Sequence, residues 1–183
     1  MTEHSRETHR LCFECGKRLR LERDTVHYEE SGLNNVWLAN VPVWRCANGH
    51  EELEIPAVDE LHDLLADVII RKAVPLVGQE VRFLRKRLEF TAQQFAVRIG
   101  VTPVHLSRLE NGRRALQRQM DLLVRLYCAH LLAQKRQQPC PAELTSILAQ
   151  LESGVASVSE HRFRHRRSSK KGAVQQEWTA SPA

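Results

Sequence analysis

The stretch Thr91-Ala-Gln-Gln-Phe-Ala-Val-Arg-Ile-Gly100-Val-Thr-Pro-Val-His-Leu-Ser-Arg-Leu-Glu-Asn-Gly112 decides the fold. Thr91 stands where a side-chain oxygen can cap a helix of about eight residues, and Gly100 can take the left-handed conformation that stops this helix after Ile99. Thr102 caps a second helix with Pro103 at its first position, where a missing N–H costs nothing. Asn111 and Gly112 close it. Ala96 is small where the two helices must cross, and Val101 and Leu106 are apolar where the second packs back on the first.

Two short helices joined by a tight turn make a helix-turn-helix, whose second helix enters the DNA major groove. Its outward residues are Pro103, Val104, Ser107 and Arg108. Arg108 can pair bidentately with guanine O6 and N7, and Val104 can contact a thymine methyl. Arg113, Arg114 and Arg118 follow directly and suit phosphates, as does the Asn111 amide. Residues 78–135 carry 11 basic and 4 acidic side chains, a net of +7. The plainer alternative is a helical bundle with a solvated basic face.

Further helices flank the motif. Val81, Leu84 and Leu88 point inward from a helix over 78–88, and Leu116, Met120, Leu123, Leu126, Tyr127 and His130 mark the inward stripe of a longer helix after it. Cys128 reads as a small buried hydrophobe beside that stripe. Upstream, Leu61, Leu64, Leu65, Val68 and Ile69 recur at helical spacing over 58–72, with Asp59 and Glu60 in the favourable first turn. Pro75 and Gly78 separate this connecting helix from the motif.

Residues 11–55 follow a different period. Val36 and Leu38 share one strand parity and Val41 and Val43 the other, so the alternation slips near Asn40, the mark of a bulge or a change of direction. Trp37 and Trp44 fall opposite those sets. So short a β segment has too little area to fold alone, and metal is the usual remedy. Cys12-Phe-Glu-Cys15-Gly supplies two thiolates from a tight turn, and Cys46-Ala-Asn-Gly-His50 supplies a thiolate and an imidazole. Three Cys and one His are the donors of a closed structural Zn2+ site, with no open position for catalysis. Gly49 stands where a second Cys-x-x-Cys would put its last thiol, so His50 must reach in from one residue further. His27 competes as the fourth ligand, redox cycling at Cys12 and Cys15 is an alternative, and ordinary unligated residues are another.

The 183-residue chain has 27 Lys+Arg against 22 Asp+Glu, a formal net charge of +5, with 42% hydrophobic and 5% aromatic residues, which favours small modules over one large barrel. Residues 1–58 carry a net of −3 and residues 59–183 a net of +8. No apolar run reaches the length of about 18 residues that a membrane span needs, and the start of the chain lacks the apolar core of a secretory signal. A cytoplasmic protein without membrane attachment is expected. No base, nucleophile or phosphate loop accompanies the metal site, so no enzyme is expected.

The expected architecture is a zinc-binding β module over 1–56, a connecting helix over 57–75, an all-α helix-turn-helix domain over 76–135 making about five helices, and a short helix with a disordered basic tail over 136–183. The tail block His161-Arg-Phe-Arg-His-Arg-Arg-Ser-Ser-Lys-Lys171 could reinforce DNA binding, bind RNA or an acidic partner, or merely solubilise.

The stretch from Leu84 to Gly112, ending Ser107-Arg108-Leu109-Glu110-Asn111-Gly112, resembles the Cro/CI-type (XRE) helix-turn-helix family. Cys12-x-x-Cys15-Gly, Tyr28-Glu-Glu-Ser-Gly-Leu, Val41-Pro-Val-Trp-Arg-Cys46 and Ile55-Pro56 resemble the YgiT-type zinc finger. In this order over residues 10–135 they are similar to the MqsA-type antitoxins of toxin-antitoxin systems and their relatives. The resemblance implies a cytoplasmic homodimer that represses its own operon at a palindromic operator and engages a protein toxin through the N-terminal domain. It places base reading on Pro103, Val104, Ser107 and Arg108, and phosphate contacts on Ala92, Gln93 and Asn111, with Arg113 and Arg114 beside them. Val104 replaces a polar residue common at that point, and antitoxin activity itself has no residue signature. A stand-alone regulator whose zinc module senses a ligand or partner is the other reading.

Overall fold

The computed structural model describes residues 10–137, 161–170 and 173–181. In chain order these form β1 (Leu19–His27), β2 (Val36–Cys46), β3 (Glu51–Leu53), α1 (Val58–Arg71), α2 (Gly78–Arg87), α3 (Ala92–Arg98), α4 (Pro103–Glu110), α5 (Arg118–Lys135), β4 (His161–Lys170) and β5 (Ala173–Ser181). The expected order of a β module followed by five helices holds, provided the connecting helix α1 is counted among the five.

β2 is the spine of the sheet. β1 pairs antiparallel along one edge, while the other edge is shared: β3 takes its C-terminal half, from Val43↔Leu53 to Arg45↔Glu51, and β4 its N-terminal half, from Val36↔His161 to Ala39↔Arg164 in parallel. The slip in alternation has a structural cause. Asn40 adopts φ +61° in β2, and the β1–β2 register shifts between Asp24 and Val26. The extra residue turns both parity sets to one side, so Val36, Leu38, Val41 and Val43 are all buried. Trp37 and Trp44 remain half-buried on the outer face.

That inner face packs on Leu61, Leu65, Ala66 and Ile69 of α1, and the same core continues through Val81 and Leu84 to Phe95, Leu106, Val124 and Cys128. The idea that metal alone must hold the β segment is therefore corrected. Its inner half is held by α1, and only its outer end, where Cys12, Leu19 and Cys46 form a separate small cluster, lacks apolar support.

The inward stripe of α5 also differs from expectation. Leu123 and His130 are exposed, and the buried face is Asp121, Val124, Arg125, Cys128, Ala129, Leu132 and Ala133. Two charged residues lie on the inside, which hid the phase of the helix. Arg125 binds Asp121 at 3.0 Å and donates to the carbonyls of Ile70, Lys72 and Val74, while the Leu76 N–H donates to Asp121 at 2.7 Å. The segment between α1 and α2 is thus tied to α5 through its backbone. Cys128 is fully buried as expected, and burial pushes its thiol up to about 12.

The tail read as disordered contributes an antiparallel hairpin, β4–β5, paired from Arg162↔Ser181 to Lys170↔Ala173. Two apolar residues anchor it: Phe163 is fully buried, and Trp178 is nearly so, its indole N–H donating to the Pro56 carbonyl at 3.0 Å. The short helix expected after residue 136 falls among residues 138–160, which lie outside the described residues.

Candidate nucleic-acid interface and metal centre

The two helices of the central motif form for the local reasons their sequence gives. Thr91 Oγ1 accepts from the Gln94 N–H at 3.2 Å, while Gln94 Oε1 accepts from the Thr91 N–H at 3.0 Å, a reciprocal capping box. Thr102 Oγ1 accepts from the His105 N–H at 3.2 Å, with Pro103 opening α4. Gly100 sits at φ +72° between them, and Ala96 and Leu106 are fully buried at the crossing.

The Glu-Asn-Gly at the end of α4 is explained by packing. Glu110 is 5% exposed, and its carboxylate receives Arg85 Nε at 2.6 Å and Nη2 at 2.9 Å, locking α4 to α2. Asn111 Nδ2 donates to the Ser107 carbonyl at 2.8 Å, and its Oδ1 accepts from Arg82. Gly112, at φ +68°, ends the helix. At the same place Gly78 admits the α4 backbone so closely that a Cβ there would meet the Leu109 carbonyl oxygen at 2.0 Å. Arg85 was not singled out by sequence reasoning, Glu110 entered only as part of the Glu-Asn-Gly ending and Gly78 only as a break between helices, because neither a charged residue nor a glycine carries a mark of its buried neighbour. The Asn111 amide, read as a phosphate ligand, serves the helix end and Arg82.

With α4 fixed this way, its expected outward residues are outward. Pro103, Val104, Ser107 and Arg108 are all exposed, Val104 at 61%, while Leu106, Leu109 and Glu110 face inward. Gln93 is exposed and Ala92 half-buried at the start of α3. Of the 11 basic residues behind the +7 of residues 78–135, nine fall into two sets. Arg82, Arg85, Arg87, Arg125 and Lys135 are ion-paired within the fold. Arg108, Arg113, Arg114 and Arg118 are exposed and form no ion pair among the described residues. The second set lies on α4, in the loop after it and at the first turn of α5, beside the outward face of α4, while the remaining two, Lys86 and Arg98, are exposed near the ends of α2 and α3, Arg98 donating to the Tyr127 hydroxyl at 3.1 Å.

The second site is the outer end of the sheet. Cys12 and Cys15 ride one turn, closed by Gly16 N–H to the Cys12 carbonyl at 2.9 Å, and Cys46 and His50 another, closed by Gly49 N–H to the Cys46 carbonyl at 3.0 Å. Gly49 has φ +83°, and this left-handed turn brings His50 round to the thiols from one residue beyond the usual spacing. One ligand atom from each of Cys12, Cys15, Cys46 and His50 lies within 4.8 Å of every other. Cys15 and Cys46 Sγ are 3.8 Å apart, and Cys12 Sγ is 3.4 Å from His50 Nδ1. A tetrahedral ion of zinc's size spans sulfur–sulfur edges of about 3.8 Å and sulfur–nitrogen edges of about 3.6 Å, so the donor set fits a metal ion. His27 lies elsewhere, its Nε2 3.0 Å from the Asn34 carbonyl and its ring against Trp37.

The electrostatics of the cluster favour one thiolate first. Burial pushes both Cys12 and Cys46 up, but at Cys46 the backbone N–H groups of Asn48 and His50 and the neighbouring thiols outweigh it and lower the thiol to about 7. His50 Nε2 lies 3.3 Å from the Glu14 carboxylate, which leaves Nδ1 for a metal and orients the ring.

Residues 76–134 match the family model described as a helix-turn-helix domain. No curated protein and no solved structure matches the chain. Residues 76–134 are thus a Cro/CI-like helix-turn-helix domain, the unit of a DNA-binding regulator. No helix among the described residues is long and apolar enough to cross a membrane.

Proposed function

We propose that the protein is a sequence-specific transcriptional repressor that binds a palindromic operator as a homodimer, and that it acts as the antitoxin of a type II toxin-antitoxin system on its own operon in the cytoplasm. The observation that carries DNA reading is the outward face of α4 with the unpaired Arg108 on it and Arg113, Arg114 and Arg118 beyond its end. In this reading Arg108 pairs with a guanine, Val104 meets a thymine methyl, Pro103 and Ser107 complete the base-facing surface, and Arg113 and Arg114 hold phosphates with the start of α3 at Ala92 and Gln93. Two α4 helices bind half-sites about 34–36 Å apart, or a multiple of it.

The ion we assign to Cys12, Cys15, Cys46 and His50 is Zn2+, because three thiolates and an imidazole in a closed tetrahedron suit it best. The chemistry it supplies is structural. With all four positions taken by protein there is no room for substrate, and the protein is read as a regulator and not an enzyme.

The antitoxin role rests on the resemblance of the two modules in this order, with the β module as the toxin-facing part. A stand-alone regulator that senses a ligand or partner is the second reading, favoured by the single core that runs from the sheet into the helix-turn-helix. The test is co-expression with the product of the neighbouring reading frame. Growth arrest by that product, relieved by this protein in a stable complex, supports the antitoxin. A neighbour without toxicity leaves the stand-alone regulator. Selection of bound sequences from a random duplex pool tests DNA reading itself, and a pool without enrichment or two-fold symmetry overturns it.

A further inference from the structure

We infer that the β4–β5 hairpin is a second DNA-contacting element, a basic two-stranded ribbon that binds the phosphate backbone of duplex DNA. The helix-turn-helix needs no such element, and the reading of α4 does not assign one.

The geometry separates an anchored base from a projecting arm. β4 pairs with β2 only through Arg164, whereas its pairing with β5 continues to Lys170↔Ala173. Beyond Ala39 β2 continues to Cys46 with β3 on that edge, so residues 165–170 have β5 but not β2 as a ladder partner, over roughly 20 Å at about 3.3 Å per residue. The base is docked by one strand parity: Phe163 and His165 are buried, Trp178 lies opposite His165 in register, and the His165 carbonyl accepts from Asn40 Nδ2 at 3.2 Å. The other parity holds Arg162, Arg164, Arg166, Ser168 and Lys170, and Arg164 is exposed. A period of two thus puts Arg162, Arg164, Arg166 and Lys170 opposite the apolar anchors, with Arg167 on the anchors' parity beyond them.

The charge of this element is out of proportion to its size. Residues 161–181 contain six Lys+Arg and one acidic residue, Glu177, a net of +5 that equals the formal charge of the whole chain. Glu177 stands opposite Arg166, and the other cross-strand partners of the basic parity are Ser181, Thr179, Gln175 and Ala173. At the anchored end of the hairpin, Arg164 and Arg23 flank a shallow cleft of about 490 Å³ with Thr25, Ala39 and Asn40. The one acid lining the cleft, Asp24, is held by Arg45 at 2.7 Å, so its charge is already met.

Duplex DNA is the occupant these features fit. Successive basic positions on one strand parity follow a run of phosphates, and a two-stranded ribbon is of the size the major groove admits. The same chain already displays unpaired arginines around α4, so a second arm raises affinity for one polyanion in common. An acidic polypeptide or single-stranded RNA is the competing occupant.

The test uses the full chain and a mixed-sequence duplex of about 30 base pairs, with binding followed by fluorescence anisotropy between about 50 and 200 mM KCl. The variant combines Arg162→Gln, Arg164→Gln, Arg166→Gln and Arg167→Gln, and a second set replaces the same four with Lys. Loss of three or four phosphate contacts lowers the slope of log K against log salt by about 3, while the Lys set keeps it. A Gln set with the wild-type slope overturns the ribbon, as does equal binding of polyglutamate or a preference for single-stranded RNA.

A parallel set with Arg113→Gln, Arg114→Gln and Arg118→Gln tells the two readings apart. A reduced slope in that set alone leaves the helix-turn-helix standing and removes the ribbon. The reverse pattern keeps the ribbon and removes the α4 face as the DNA surface. Unchanged tryptophan emission confirms that Trp178 stays docked, and if the Gln set undocks it, the Lys set against charge-removing Arg164→Gln alone, expected to lower the slope by about 0.9, decides.

Discussion

The Cys/His end of the sheet and the helical half are built by opposite means. Around Cys12, Leu19 and Cys46 the apolar cluster is minimal, and four donor atoms within 4.8 Å of one another could hold the metal ion that would tie it. In the helical half the core is continuous, and buried ion pairs lie inside it, with Arg125 fully buried and Asp121 and Glu110 nearly so. The difference teaches how charge should be read. In the helical half much of the basic excess is architecture, and what remains for a partner is the exposed set around Arg108 and Arg113. At the metal end the soft donors are the architecture, and the carboxylates of Glu22, Asp24 and Glu51 converge on Arg45.

The sharpest way to break this comparison is Arg125→Met. It leaves Asp121 buried and the carbonyls of Ile70, Lys72 and Val74 without their donor, and removing one member of a buried pair costs about 3–5 kcal/mol. Urea denaturation followed by far-ultraviolet circular dichroism should show that loss, and an unchanged midpoint would mean that the pair is not what fixes α5 to the α1–α2 segment.

Next in size is Cys46→Ala. Bound zinc should fall from one equivalent to none, and amide signals of residues 10–20 and 46–53 should lose dispersion. Because Val36, Leu38, Val41 and Val43 are held by α1, the inner half of β2 should keep its signals. Melting of the whole sheet would show that metal and core are one cooperative unit. Glu14→Gln probes the same end more gently, with metal affinity falling about 10–100-fold through the His50 ring.

Arg108→Ala tests the exposed charge set. It should cost about 1–3 kcal/mol of discrimination at one base of each half-site while leaving the denaturation midpoint unchanged. Undiminished specificity in a selection from random duplexes removes Arg108 as a reader.

The parts legible in the sequence are those fixed by local chemistry. Thr91, Gly100, Thr102 and Gly112 each act within a few residues of themselves, so caps and turns could be placed from spacing alone. The four metal donors announced themselves by type, and the slip at Asn40 by parity. What stayed hidden depends on distant partners. Arg85 and Glu110 are 25 residues apart, and each alone looks like a surface charge. Leu123 and His130 seemed to belong to the inward stripe of α5 because Asp121 and Arg125, which truly face inward, are polar. The β4–β5 hairpin escaped because its composition is basic, and its ties, the pairing of β4 with β2 and the burial of Phe163 and Trp178, depend on elements more than a hundred residues earlier.

The smallest expected effect lies at the seam between the two regions. His62 on α1 has its Nε2 2.8 Å from the Tyr28 hydroxyl of the sheet side, and its ring meets the edge of Phe83 on α2. Burial lowers its pKa, the Arg87 charge lowers it further, and Asp59 and Asp63 only partly oppose this. The folded protein therefore holds His62 neutral at a pH where the unfolded chain already binds a proton. In that window the unfolded state carries more protons, so stability rises with pH. The stabilisation is complete above the ordinary histidine pKa of about 6.5, and is lost as pH falls from there toward the lower folded value. Denaturation midpoints measured down through that range should fall for the wild type and flatten for His62→Gln, which keeps a polar partner for Tyr28. Equal slopes would show that His62 titrates alike in both states and that the seam is open to water. A reduced slope with an unchanged metal content would place the pH sensitivity at the joint between the two regions and not in the thiol cluster.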